Sequence, residues 1–252
     1  DPRAEPTPRD ARGVEDAAEA SEPLGTIGCI TVDLEGTRWE SGPVRAYAEA
    51  KLYEWIETTC PGVACAHSRD ALLAHRRTHY ASIPEIRHDL TRSRILWLES
   101  LLREWGYGAE LAEIGFRVFR KHRNAVTLFD DVPRVLGQLG ERYAIGAITN
   151  GNADVHRIGI GHHFDFVVTP AEAGAAKPDP AIFDFALGAA GVPAGSVVHV
   201  GDDPVRDVSG AAALGLRTVW MNPDGKTWPG GRRPDAEIRS LDSLLHVVDA
   251  WR

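Results

Sequence analysis

Short apolar runs recur along this 252-residue chain, and helical spacing fills the intervals between the later ones. Ile27–Val32 comes first, then Ala144–Ile148, Phe166–Val168, Val197–Val200 and Thr218–Met221, with a weaker run at Ala236–Ile238. The spacing between and after them predicts helices near Val132–Leu139, over Ala181–Ala190, near Val205–Leu214 and through Leu244–Trp251. Strands that alternate with helices predict a parallel sheet with helices on both faces. In such sheets ligands bind beyond the carboxyl ends of the strands. The polar residues that follow each run are therefore the first place to look for chemistry.

Between the first and second runs the pattern is helical for about ninety residues. Leu52, Trp55 and Ile56 suit one helix, and Ala71, Leu72 and His75 a second. Ile95, Leu98, Leu101 and Leu102 suit a third, stopped by Gly106, and Leu111, Ile114, Val118 and Phe119 a fourth. Gly62 and Pro84 read as breaks between them. The expected organisation is a helical insert over 41–127, set into an α/β core made of 25–40 and 128–252. Residues 1–24 are rich in Pro, Ala and charge, lack an apolar stretch of signal-peptide type, and are expected to form a disordered tail.

A net charge of −8 and a pI near 5.7 argue against nucleic-acid binding, which favours a basic stripe. No apolar run is long enough for a bilayer, so no membrane association is expected. Cys29, Cys60 and Cys65 form neither a disulfide framework nor a zinc-finger spacing and read as reduced thiols. A cytoplasmic enzyme, monomeric or homodimeric, with a small-molecule substrate is the plain expectation.

Four strand-end groups carry the chemistry. Asp33 closes the first run and Glu35 lies two residues on, on the same side of an extended segment. One of the two can attack while the other manages protons. Thr149, Asn150 and Gly151 follow the second run, where a hydroxyl, an amide and a free backbone N–H suit a phosphate cradle. Lys177, framed by Pro178 and Pro180, can neutralise a phosphate and a carboxylate together. Asp202, Asp203 and Asp207 gather acids that repel unless a cation joins them, and oxygen donors without His or Cys suit Mg²⁺. The last three groups each have a local alternative: an Asn-Gly turn, a surface lysine before a proline-started helix, and helix N-capping by Asp202 or Asp203.

In this order and at these strand ends, the four groups resemble the haloacid dehalogenase-like superfamily, over about residues 26 to 240. The insert looks like its C1 cap. The resemblance implies a Rossmann-like α/β fold and, in most members, a Mg²⁺-dependent phosphatase. By that likeness Asp33 is the nucleophile and Glu35 the acid and base. Mg²⁺ is held by Asp33, the carbonyl of Glu35 and Asp202, while Thr149, Asn150 and Lys177 hold the phosphoryl oxygens. Asp207 and Asp203 support the metal from behind or orient Lys177. Pro84–Arg94, Thr149–Ala153, Gly159–Phe166 and His199–Asp203 are further similar to bacterial phosphatases acting on 5-amino-6-(5-phosphoribitylamino)uracil. Sugar phosphates and nucleotides are the other substrates such groups accept.

Glu35 departs from the Asp that most phosphatases of this superfamily carry, although the enolase-phosphatase group has a similar Asp-x-Glu-Gly-Thr. Two competing readings follow: a catalytically impaired binding protein, and a 2-haloacid dehalogenase, which would leave the Asp202–Asp203 acids without a cation. Trp39 suits either stacking on a substrate ring or packing in the core. His88 and Arg92 suit either contact with a phosphorylated substrate or pairing with acids of the insert. His75 and His79, one helical turn apart, lack the Glu a zinc protease needs after the first His and read as a solvated helix face.

Overall fold

The computed structural model describes residues 26–36, 39 and 41–252; the expected N-terminal tail lies outside the described residues. The elements run β1 (Cys29–Val32), α1 (Ser41–Thr59), α2 (Pro61–Ala66), α3 (Arg69–Ala81), α4 (Leu90–Glu104), α5 (Glu110–Arg123), α6 (Val132–Gly140) and β2 (Ala144–Ile148). Then come α7 (Val155–Ile158), β3 (Phe166–Val168), α8 (Pro170–Ala173), α9 (Pro180–Ala190), β4 (Val197–Gly201), α10 (Gly210–Ala213), β5 (Arg217–Met221), β6 (Ala236–Ile238) and α11 (Asp242–Ala250). The six strands form one sheet in the order β3-β2-β1-β4-β5-β6, and every neighbouring pair is parallel. This is the expected α/β architecture.

Period-two alternation explains why both faces are dry. In β1, Ile30 and Val32 point into a layer with Val135, Leu136, Leu139, Leu244 and Val248 of α6 and α11. Cys29 points the other way, toward Ile182, Phe183 and Ala186 of α9 and Ala211 of α10. Burial, with a smaller push from Asp165, raises the Cys29 thiol to about 12, so it packs as an inert apolar group. All three cysteines are free, as expected. No helix of the described residues is long and apolar enough to cross a membrane.

Helices α1 to α5 carry an apolar cluster of their own, which includes Leu52, Ile56, Leu98, Leu101, Leu102, Phe116 and Phe119. The four long helices of this segment are those the spacing predicts. Gly62, read as a break, instead lies in the short helix α2, which Pro61 starts from its first turn. Its backbone N–H donates to the Tyr107 hydroxyl at 3.0 Å. The face of α5 is also rotated from the expected one. It buries Ala112, Gly115, Phe116, Phe119 and Arg123, while Ile114 is exposed. The reason is a close approach: a Cβ at Gly115 would stand 2.6 Å from Cζ3 of Trp55 on α1. Small residues, not the bulkiest ones, define where these two helices meet. The predicted helix near Val205 begins as a π-helical turn, Pro204–Ser209, before α10. His75 is not on a purely solvated face: its Nδ1 accepts from Trp97 Nε1 at 2.9 Å.

Polar contacts tie three of these helices. Arg94 of α4 donates to both oxygens of Glu49 on α1, at 3.1 and 2.8 Å, and Arg76 of α3 donates to Oε1 at 2.6 Å. Burial would raise the Glu49 carboxyl, but Arg94 and then Arg76 more than offset it and hold it below the ordinary carboxylate range. A carboxyl lowered on folding contributes stability above its unfolded pKa, and the contribution is lost as pH falls through the folded one. Glu49→Gln should therefore cost about 2 kcal/mol at pH 7, with a deficit in thermal midpoint that shrinks from pH 4.5 downward. Gly115→Ala should cost about 1–3 kcal/mol in denaturant unfolding by pushing α5 off Trp55.

Candidate active site

Parallel register brings the strand-end groups together. Val32 at the end of β1 pairs with Ala147 of β2 on one side and with Val200 of β4 on the other. The next residue, Asp33, donates its N–H to the Val200 carbonyl at 2.8 Å and stands between Thr149 and Asp202, each just past a neighbouring strand. A cleft of about 510 Å³ opens over this edge, with the sheet's loops below and residues of α1, α3, α4 and α5 above.

Lys177 joins these groups. Its ammonium donates to Asp33 Oδ1 at 2.6 Å, Asp207 Oδ1 at 2.7 Å and the Ile148 carbonyl at 2.6 Å, filling all three donor positions. The side chain is 2% exposed. Burial would lower the lysine, but Asp207 and Asp33 more than offset this and hold it above its ordinary value. Burial would likewise raise Asp207, but Lys177 and His199 outweigh it and hold that carboxyl down. Its second oxygen, Oδ2, accepts the Asp203 N–H at 3.0 Å. Asn150 fixes the lysine's backbone from both sides: its Nδ2 donates to the Lys177 carbonyl at 2.8 Å, and its Oδ1 accepts the Lys177 N–H at 2.7 Å. Thr149 is fully buried, and its Oγ1 accepts the Gly151 N–H at 2.9 Å, which leaves the hydroxyl proton free to point elsewhere.

The acids are crowded. Oxygens of Asp33, Asp202 and Asp207 lie within 4.8 Å of one another. Burial pushes Asp33 up to about 8; Lys177 pulls it down without cancelling that rise, and Asp207 and Asp202 add to it. Burial, then Asp207, takes Asp202 up to about 6. One ammonium against three carboxylates leaves a negative deficit that a divalent cation would fill, and an all-oxygen donor set is what a hard cation takes. Gly36 makes the crowding feasible. It holds φ = +77°, and a Cβ there would overlap the Asp202 carboxylate.

The remaining candidates divide. Glu35 lines the cleft, but its carboxylate is not part of the acidic cluster; Oε1 accepts from Arg123 Nη2, at the end of α5. Gly151 leaves room for that carboxylate, since a Cβ there would overlap Oε1. Asp203 is a helix N-cap, accepting from the N–H groups of Val205 and Arg206 at 2.9 and 2.8 Å, so its carboxylate does not hold Lys177. Trp39 is fully buried with Leu34, Ala147, Ala153, Val155 and Ile160, and the stacking reading is wrong: the ring fills the core under the loop. His88 lines the cleft. Arg92 does not; it is exposed, its N–H donating to the N-cap Asp89. Arg94, two residues on and so near the opposite face of α4, enters the cleft instead.

Sequence reading missed Arg123, the Asn150 tether, and Arg45 and Glu49 on α1. Arg123 had a signal. It continues the buried 112–116–119 stripe at helical spacing, and a charged residue on a buried stripe points to a partner.

Comparison with known proteins agrees with this geometry. The haloacid dehalogenase-like hydrolase family matches residues 27–215. The chain is 31% identical over 234 residues to 5-amino-6-(5-phospho-D-ribitylamino)uracil phosphatase YigB of Escherichia coli, covering 90% of this chain and 98% of that protein. It is 31% identical over 206 residues to a phosphoserine phosphatase of Thermus thermophilus, covering 79% and 80% of the two chains. Among solved structures, the 2-haloacid dehalogenase from Pseudomonas syringae pv. Tomato DC3000 superposes with a TM-score of 0.86 at 37% identity, covering 90% of this chain and all of that one. The chain belongs to the haloacid dehalogenase-like hydrolase family.

Proposed function

We propose that the chain is a Mg²⁺-dependent phosphomonoester hydrolase acting on a small phosphorylated metabolite through an aspartyl-phosphate on Asp33. One observation carries the reading: a buried carboxylate at the sheet's edge, held at 2.6 Å by Lys177, with two further acids inside 4.8 Å. Asp33 attacks phosphorus, the bond to the leaving oxygen breaks, and that oxygen takes its proton from Glu35. Glu35 then accepts a proton from a water that attacks the same phosphorus, which frees inorganic phosphate and restores the Asp33 carboxylate. The Thr149 hydroxyl and the Asn150 N–H hold the phosphoryl oxygens, and Lys177 joins them by passing the bond it gives Asp33 to a phosphoryl oxygen as Asp33 attacks. Asp207 keeps Lys177 aimed, and Arg123 fixes where the Glu35 carboxylate points. Mg²⁺ held by Asp33, Asp202 and the Glu35 carbonyl would supply the charge neutralisation that lets an anionic nucleophile approach a phosphate dianion. The Escherichia coli relative makes the riboflavin precursor 5-amino-6-(5-phosphoribitylamino)uracil one substrate candidate, beside sugar phosphates and nucleotides.

The Pseudomonas syringae structure supports a second reading, in which Asp33 displaces halide from carbon. That chemistry gives no work to the crowding of Asp33, Asp202 and Asp207, and we favour phosphate transfer for this reason.

Purified protein should hydrolyse p-nitrophenyl phosphate with Mg²⁺ and stop in EDTA, while releasing no chloride from 2-chloropropionate. Chloride release without phosphatase turnover would reverse the assignment. Asp33→Asn should lower turnover by at least about 10³-fold, as loss of a nucleophile does. Glu35→Asp withdraws the carboxyl from Arg123 and should lower kcat by about 10- to 100-fold, with a smaller change in KM.

A further inference from the structure

The helices above the cleft carry more positive charge than one phosphoryl group requires. Arg45, Arg76, Arg94 and Arg123 all line it, and Glu49 is the acid that α1, α3, α4 and α5 supply there. Two guanidiniums share that single carboxylate, so the Arg76–Glu49–Arg94 group keeps one positive charge. Arg45 has no ion-pair partner among the described residues. Arg123 is 3% exposed; its Nη2 serves Glu35, while its Nη1 is buried with no hydrogen-bond partner. The guanidinium is lowered by burial, supported by Glu35, and pressed further down by Arg45 and Arg94, which line the same cleft. A buried donor without an acceptor, among like charges, is costly unless an anion completes it.

We infer that the cleft binds substrates with a second anionic group, a carboxylate or another phosphate, seated between Arg45 and Arg123, with Arg94 adding positive charge from its place on Glu49, while the reacting phosphoryl sits at Asp33. This rests on the phosphatase reading and narrows its substrate class. Arginine suits the role because its planar fork binds carboxylate and phosphate oxygens in pairs. A cleft of about 510 Å³ has space for a short-chain bis-anion, and the reacting end already has Thr149, Asn150 and Lys177. The cations above are therefore surplus to that end.

Calorimetric titration of the Asp33→Asn protein in Mg²⁺ tests this with matched pairs. These are 3-phosphoglycerate against glycerol 3-phosphate for a carboxylate, and fructose 1,6-bisphosphate against fructose 6-phosphate for a phosphate. In at least one pair the bis-anion should bind about tenfold or more tightly, and that pair identifies the preferred group. Adding Arg45→Gln, an exposed position that folding tolerates, should cut the preference severalfold; Arg123→Lys is the complementary variant, keeping charge but losing the unpartnered Nη1. Equal affinity within both pairs overturns the inference, as does a preference that both variants leave intact. Turnover of p-nitrophenyl phosphate by the unmodified protein reports separately on the phosphatase reading. Its absence beside a retained bis-anion preference would remove that reading and keep the anion site.

Discussion

The Lys177 ammonium is the contact on which the sheet's carboxyl edge depends. It touches Asp33 after β1, the Ile148 carbonyl of β2 and Asp207 after β4, so three strand ends meet on one cation. Removing that cation would leave buried carboxylates facing one another without compensation, an arrangement far more costly than the loss of a surface ion pair. Asn150 holds the lysine's backbone from both sides, and His199, lodged between Thr31 at 2.9 Å and Asp207 at 3.3 Å, steadies the acid that shares it. Reactivity and fold are thus served by the same bonds. The register that satisfies the backbone also delivers the charges.

The α/β sheet was legible because its strands are buried on both faces and so appear as unbroken apolar runs. Asp33, Thr149, Lys177 and Asp202 were legible for a related reason, since a polar residue directly after such a run has one place to go. The insert was harder. Its helices could be counted, but the face of α5 was misread, because Ala112 and Gly115 bury by being small and no hydrophobicity pattern reports closeness. Trp39 was ambiguous between core and ligand, since an aromatic ring suits both and only the packing around Ala147 and Ile160 decides. Arg92 and Arg94 sit two residues apart on one helix; choosing between them needed the phase of α4, which Asp89 sets as its N-cap.

Asp203 illustrates how a motif can mislead at single-residue resolution. Two adjacent acids after β4 look interchangeable in sequence. In space one faces the acidic cluster and the other caps the π-helical turn that follows. The turn in turn places Asp207 where its oxygens meet Lys177 and the Asp203 N–H. Geometry, not residue type, distributes the labour among these carboxylates.

Arg123 binds the insert to the sheet's chemistry. It is the last residue of α5, yet its guanidinium lies against Glu35, a carboxylate on the sheet's own loop. A transplanted set of helices without a guanidinium at that place would strand residue 35 beside an empty gap. The longer acid and its distant arginine thus work as a matched pair in this chain, each fixing where the other points.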